Sequence, residues 1–280
     1  VTTSERSGLA SARRIVVKVG SSSISGENAE KIEPLVDALA AAHARGTEVV
    51  LVSSGAIATG MPFLELDTRP TDLATQQAAA AVGQNVLIYR YQKSLRPFGI
   101  VAGQVLLTAG DFEDPTHRSN AGRAMERLLG LRILPIVNEN DTVATHEIRF
   151  GDNDRLAALV AQLIGADALV LLSDIACLYT RPPDEPGAMP IDTVAFGDDL
   201  AGFQFGSVVV NSVGTGGAAT KVSAARLAAA SGVGVLVTSA DLVAEALAGE
   251  RIGTWFEPDP HVVPRPVTGS VASVADRLTR

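Results

Sequence analysis

The sequence predicts an α/β protein: a mostly parallel central sheet with helices on both faces, an αβα sandwich. Two observations carry that expectation. Apolar runs of strand length alternate along the chain with segments whose apolar residues recur at helical spacing. The strand-length runs are also nearly uninterrupted, as in Ala168-Leu169-Val170-Leu171-Leu172, whereas a sheet with one wet face would alternate apolar and polar residues.

Taken in order, residues 15–19 form a β-branched first strand ended by Gly20. Ile32, Leu35, Val36 and Leu39 then fall at i, i+3, i+4 and i+7, one face of an amphipathic helix that Gly46 stops. Residues 49–52 read as a second buried strand, and residues 72–95 as a helix softly broken at Gly83. Further strands are expected at 100–107 and 133–137, a helix at 155–164 closed by Gly165, and a strand at 168–172. Residues 217–230 read as helix, 233–237 as strand, 242–247 as a short helix and 254–256 as a final edge strand.

Two stretches interrupt the alternation. Pro182, Pro183, Pro186 and Pro190 make residues 181–190 an irregular surface loop. Pro258, Pro260, Pro264 and Pro266 begin a proline-rich tail, 257–280, too short for a core of its own. The expected organisation is a flexible start (1–11), one folded domain (12–256) and this tail, whose removal after Phe256 should leave the domain intact.

Composition narrows the function. No apolar run reaches membrane-spanning length and residues 1–14 lack the apolar stretch of a signal peptide, so no membrane partner is expected. A single cysteine, Cys177, excludes an internal disulfide and fits a reducing cytoplasm. The net charge of −8 argues against nucleic acid. His43, His117, His146 and His261 lie far apart, so no protein-built metal site is expected.

The chemistry gathers where strands end, the ligand-binding edge of open α/β sheets. After the strand at 133–137 come the carboxylates Glu139, Asp141, Asp152 and Asp154 and the amides Asn138, Asn140 and Asn153. Carboxylates suit a ligand bearing an ammonium group and amides orient its polar ends, although the same residues also form solvated turns. Lys18 stands inside the first buried strand, ahead of Gly20 and three serines, Ser21 to Ser23. A buried ammonium needs a partner, and a phosphate at the strand end, also met by loop N–H groups, would be one. Ser53-Ser54-Gly55 closes the second strand with small residues and hydroxyls. Gly214-Thr215-Gly216-Gly217-Ala218-Ala219-Thr220-Lys221 leads glycines into a helix, an anion-binding arrangement that lacks the spacing of a Walker A loop or a Rossmann fingerprint. With Asp154 available to hold both lysines, Lys18 and Lys221 make a phosphoryl-transfer set.

Six blocks occur in order: Val-Lys-Val-Gly-Ser-Ser, Val-Ser-Ser-Gly-Ala-Ile-Ala, Asn-Glu-Asn-Asp-Thr-Val-Ala-Thr, Phe-Gly-Asp-Asn-Asp, Leu-Leu-Ser-Asp and Gly-Thr-Gly-Gly-Ala-Ala-Thr-Lys. Over residues 12–256 the chain thereby resembles the glutamate 5-kinases of the amino acid kinase superfamily. The resemblance implies an amino acid kinase-like fold and ATP-dependent phosphorylation of the γ-carboxylate of L-glutamate, the first step towards proline, with Mg²⁺ carried on the nucleotide. It implies catalytic roles for Lys18, Lys221 and Asp154. Nucleotide contacts are implied for Lys18, Gly20, Ser173, Asp174, Thr215, Gly216, Gly217, Ala218, Ala219, Thr220 and Lys221, and glutamate contacts for Ser54, Gly55, Asp141 and Asn153. It further implies inhibition by proline, a homo-oligomer, and transfer of product to glutamate-5-semialdehyde dehydrogenase.

Ala218 stands where the family has methionine, and Cys177 where it has glycine, so a positive φ there would strain Cys177. Many members carry a C-terminal PUA domain, which this chain is expected to lack. Two other readings stay open: a different amino acid kinase (acetylglutamate, uridylate, carbamate or isopentenyl phosphate kinase), or a sensor that binds glutamate or proline without turnover.

Overall fold

The computed structural model describes residues 5–24, 26–143, 153–201 and 217–266. The expected αβα sandwich is there. The strands are β1 (Arg14–Lys18), β2 (Glu48–Val52), β3 (Ala102–Leu107), β4 (Leu134–Glu139), β5 (Ala168–Ser173), β6 (Thr193–Val194), β7 (Gly234–Ser239) and β8 (Thr254–Phe256). Among the described residues they form one eight-stranded sheet of order β3-β4-β2-β1-β5-β7-β8-β6. All neighbours are parallel except β7 and β8.

Eight α-helices are found among the described residues: α1 (Ile32–Ala44), α2 (Ala56–Gly60), α3 (Leu73–Leu95), α4 (Ala109–Glu113), α5 (Pro115–Gly130), α6 (Asn153–Ile164), α7 (Ala218–Ala229) and α8 (Val243–Leu247). Burial on both faces explains the unbroken apolar strands. Ile15 and Val17 of β1 pack in one core with α1, α3 and α8, while Val16 packs in a second core with α5, α6 and α7. The period of two therefore turns Lys18 towards the α6–α7 face.

Several elements differ from the sequence reading. Helix α3 runs unbroken through Gly83, because that glycine answers to a contact and not to a bend. A Cβ on Gly83 would fall 1.7 Å from the carbonyl oxygen of Ala56, and one on Gly60 1.9 Å from that of Ala79. Helices α2 and α3 thus touch backbone to backbone. β8 is not an edge strand, since β6 pairs with it and takes the edge. Helices α4 and α5 fill the stretch between β3 and β4 that the apolar pattern left blank. Their starts are set by caps: Thr108 and Asp111 form a capping box, and Asp114 accepts from the N–H groups of Thr116 and His117 at 2.8 Å, with Pro115 at the first helical position.

Both flanks also pack more closely than composition suggests. Residues Arg6–Ser11 form a 3-10 helix, Leu9 is wholly buried, and the Arg6 guanidinium reaches Asp192 at 3.2 Å. After Phe256 the chain continues across the amino edge of the sheet, where the N–H of Asp259 donates to Ala229 O at 2.9 Å. There Gly232 and Gly165, both at positive φ, leave room for it: a Cβ on them would meet Val262 O at 2.4 Å and the carbonyl carbon of Arg265 at 2.5 Å. Residues 257–266 are therefore a strap over two turns. Cutting the chain after Phe256 is expected to lower the thermal midpoint by roughly 3–8 °C. A scanning-calorimetry midpoint equal to that of the full chain would contradict the strap and restore the expectation of a neutral tail.

Candidate active site

At the carboxyl edge of the sheet, β1, α6 and α7 bring two ammonium groups onto one carboxylate. Lys18 Nζ lies 2.5 Å from Asp154 Oδ1 and Lys221 Nζ 2.9 Å from Asp154 Oδ2. Asp154 has no exposed surface, and Lys18 and Lys221 keep only 4% and 6% of theirs. Burial pushes the Asp154 carboxyl up, but the two lysine charges outweigh it and hold the pKa at about 2. Its place in the first turn of α6 adds the favourable end of the helix dipole. Because the folded value lies below the ordinary 3.8, this carboxylate stabilises the fold above that pH, and the contribution is lost as pH falls through about 2.

The charge balance is informative. At the opposite edge of the sheet, buried Arg14 has two carboxylates, Glu48 at 2.7 Å and Glu126, and is a closed structural ion cluster. Among the described residues Lys18 and Lys221 meet on one acid, Asp154, so this cluster itself carries one more cation than anion, in a poorly solvated place. Such a surplus suits an anion. Gly20 keeps that place open: a Cβ there would stand 3.9 Å from Lys18 Nζ, in the space an anion on that ammonium would take. Thr220 completes the cluster, its hydroxyl 3.5 Å from Asp154 Oδ2 and 2.9 Å from Gly217 O, to which it donates.

On the β2–β4 side lies a cluster of amides and hydroxyls. Asn153 Nδ2 donates to Ser54 Oγ at 2.8 Å and lies 3.3 Å from both Ser53 O and Asn138 Oδ1. Asn138 Oδ1 also accepts from the Glu139 N–H at 2.9 Å. Among the described residues Asn138 Nδ2 and Asn153 Oδ1 are buried without a hydrogen-bond partner. One donor and one acceptor are thus left for a ligand, a costly arrangement in an empty fold. Gly55 turns the chain at φ +90° into α2. Asp141 sits half-buried in the turn after β4, on the same edge. Since Asn153 and Asp154 are consecutive, the start of α6 joins the amide cluster to the lysine pair.

On the other side of β1, buried Ser173 at the end of β5 donates to exposed Asp174 at 3.0 Å. Of the glycine loop, Gly217 caps α7, Ala218 packs half-buried at its first position and Ala219 is exposed. Thr215 and Gly216 lie outside the described residues, as does Asp152. Cys177 does not have a positive φ, so the expected backbone strain is absent. Ser53 and Asn138 join the site although the motif blocks alone assign them no role. Their signal is position, Ser53 directly after β2 and Asn138 near the end of β4.

No helix among the described residues is long and apolar enough to cross a membrane. Nor do three His, Cys, Asp or Glu side chains among them come together as metal ligands.

Residues 13–239 match the model of the amino acid kinase family. The chain is 75% identical over 256 residues to a glutamate 5-kinase of Clavibacter sepedonicus, covering 91% of this chain and 98% of that one. It is 71% identical over 258 residues to a glutamate 5-kinase of Leifsonia xyli subsp. xyli, covering 92% and 96%. Among solved structures, a carbamate kinase from Giardia lamblia bound to AMP-PNP superposes with a TM-score of 0.64 at 16% identity, over 89% of this chain and all of that one, a likeness of fold.

Proposed function

The chain belongs to the amino acid kinase family, within it to the glutamate 5-kinases, and from that premise we propose how its site transfers the terminal phosphoryl group of ATP to the γ-carboxylate of L-glutamate. The observation that carries the proposal is the Lys18–Asp154–Lys221 cluster standing between two different half-sites. The polar pocket of Ser54, Asn138 and Asn153 is the acceptor side, where Ser54, Gly55, Asp141 and Asn153 hold glutamate. Ser173, Asp174 and residues 215–221 are the nucleotide side.

Glutamate's γ-carboxylate is already ionised at neutral pH, so no general base is needed. A γ-carboxylate oxygen forms its bond to the terminal phosphorus as the bond from that phosphorus to the bridging oxygen of ADP breaks, and ADP leaves with the electron pair. Two anions must approach each other, and Lys18 and Lys221 offset that repulsion as charge spreads over the phosphoryl oxygens. Asp154 holds the two ammoniums apart from each other and aims both. Magnesium, which the family implies, would arrive on the nucleotide and neutralise phosphate charge there, since Asp154 is taken up by the lysines and offers it no protein cage.

The α-ammonium and α-carboxylate that glutamate shares with proline make proline a candidate inhibitor at the same acidic loop. The acyl phosphate product hydrolyses readily in water, which supports its transfer to a glutamate-5-semialdehyde dehydrogenase.

The direct test is ADP release with L-glutamate as acceptor, with hydroxylamine trapping the product as the γ-hydroxamate. Release with carbamate or N-acetylglutamate and none with glutamate would overturn the reading. For the shared loop, Asp141→Asn is expected to weaken glutamate and proline together, each by roughly tenfold, as loss of one charged hydrogen bond does. Proline inhibition of wild-type strength beside a collapsed glutamate KM would separate the two sites.

A further inference from the structure

Helix α3 lies behind the acceptor half-site and touches it through a residue that no motif block includes. The Tyr91 phenol, wholly buried in the core beneath the sheet, lies 2.9 Å from Ser53 Oγ. The Ser53 hydroxyl has one proton, and Ser54 O at 3.3 Å can only accept it. Tyr91 is then the donor, and a chain runs from Tyr91 O–H to Ser53 Oγ and from Ser53 O–H to Ser54 O. The Ser53 carbonyl in turn faces Asn153 Nδ2 at 3.3 Å, and Ser54 Oγ accepts from the same amide at 2.8 Å. The peptide that carries Ser54 is therefore gripped from both sides, by Asn153 from the substrate side and by Tyr91, through Ser53, from the core.

We propose that Tyr91 is a positioning residue for the amino-acid acceptor: its phenol fixes the Ser53–Ser54 peptide, and with it the Ser54 hydroxyl and the Asn153 amide that meet the substrate. The proposal rests on the reading of Ser54 and Asn153 as the acceptor side. Tyr91 cannot touch the substrate itself, because it has no exposed surface and belongs to the core that α1 and β2 share with α3. A hydrophobic residue would fill that space equally well, and the hydroxyl is explained only by what it holds. Burial also pushes the phenol's ionisation up, which keeps it a proton donor throughout the working pH range. A second link of the same kind joins α3 to the acidic loop, where Gln84 Nε2 lies 3.5 Å from Glu139 O.

The test uses the full chain and the variant Tyr91→Phe, which removes the hydroxyl and keeps the ring. KM for glutamate is expected to rise roughly three- to tenfold, the weight of one neutral hydrogen bond. KM for ATP, kcat and the thermal midpoint of the unliganded chain should stay close to wild type, and the midpoint shift produced by glutamate alone should shrink. Ser53→Ala approaches the link from its other end and should give the same split, with the double variant no worse than either single one. An unchanged glutamate KM in Tyr91→Phe overturns the proposal. So do additive effects in the double variant, or a fall of kcat and midpoint with both KM values raised alike, which would mark Tyr91 as packing only. If Tyr91→Phe does not fold, an unchanged KM in Ser53→Ala overturns it alone. Failure of the acceptor reading is distinct, since it appears in the wild type as absence of glutamate-dependent turnover. The KM comparison is then made on whichever carboxylate acceptor supports ADP release.

Discussion

Lys18→Ala and Lys221→Ala are each expected to lower kcat by roughly 100- to 1000-fold, the range seen when one preorganised donor to a developing charge is removed. KM for glutamate should move less than threefold, since in the proposed reading both ammoniums serve the phosphoryl group, while the amino acid is held at the separate cluster of Ser54, Asn138 and Asn153. The two losses should not add. Both lysines meet the same carboxylate, at 2.5 and 2.9 Å, so removing one lets Asp154 draw the other fully to itself and away from the substrate anion. Asp154→Asn is the complementary case. It leaves two buried ammoniums facing each other without the acid they share, and its kcat should fall at least as far as in either lysine variant. Steady-state kinetics with both substrates varied, beside a thermal midpoint for each variant, separates chemistry from folding. Wild-type turnover in both lysine variants would remove them from the reaction.

How much of this was legible in the residues follows from what each feature depends on. Strands β1, β2, β4, β5 and β7 are buried on both faces, so hydrophobicity alone marks them. Lys18 stands out because a lysine in such a run demands a partner. That Asp154 could hold both it and Lys221 is open to reasoning from residue type, but not the shared contact itself. Its geometry needs α6 and α7 side by side on one face of the sheet, which no local pattern encodes. Helix α5 shows no apolar period because Met125 and Leu129 are its only large buried side chains among polar residues, while its signal, Asp114-Pro115, is a cap. The order of β8 and β6 is invisible locally, since two residues of β6 make no pattern. Ser53, Asn138 and Asn153 come from three separate elements and meet only because β2 and β4 are neighbours. Tyr91 reads as one more apolar helix position until its hydroxyl is seen against Ser53.

Gly83→Ala is expected to be strongly destabilising. In sequence Gly83 looks like a weak point in a long helix, for which alanine would be an improvement of about 1 kcal/mol. In the fold the added Cβ would fall 1.7 Å from Ala56 O, 2.7 Å from Ala56 C and 2.8 Å from Gly60 N, all backbone atoms that no rotamer change can move aside. Helices α2 and α3 would have to separate. Overpacking of this kind costs about 3 kcal/mol or more, a large share of the roughly 5–15 kcal/mol that keeps a domain folded. The damage should also reach the acceptor half-site, because α2 begins immediately after Ser53-Ser54-Gly55 and α3 carries Tyr91 and Gln84. Displacing one helix from the other pulls on the Ser53–Ser54 peptide from both of its supports. Gly60→Ala meets the reciprocal contact, 1.9 Å from Ala79 O, and should behave alike. Urea unfolding of both variants beside Gly130→Ala, whose Cβ would meet nothing within 4 Å, provides the comparison. Helix propensity alone predicts that Gly83→Ala and Gly130→Ala are both stabilising. The backbone contact predicts opposite signs, with glutamate KM rising in whatever fraction of Gly83→Ala folds. A Gly83→Ala midpoint at or above wild type would mean that α2 and α3 do not pack as closely as described.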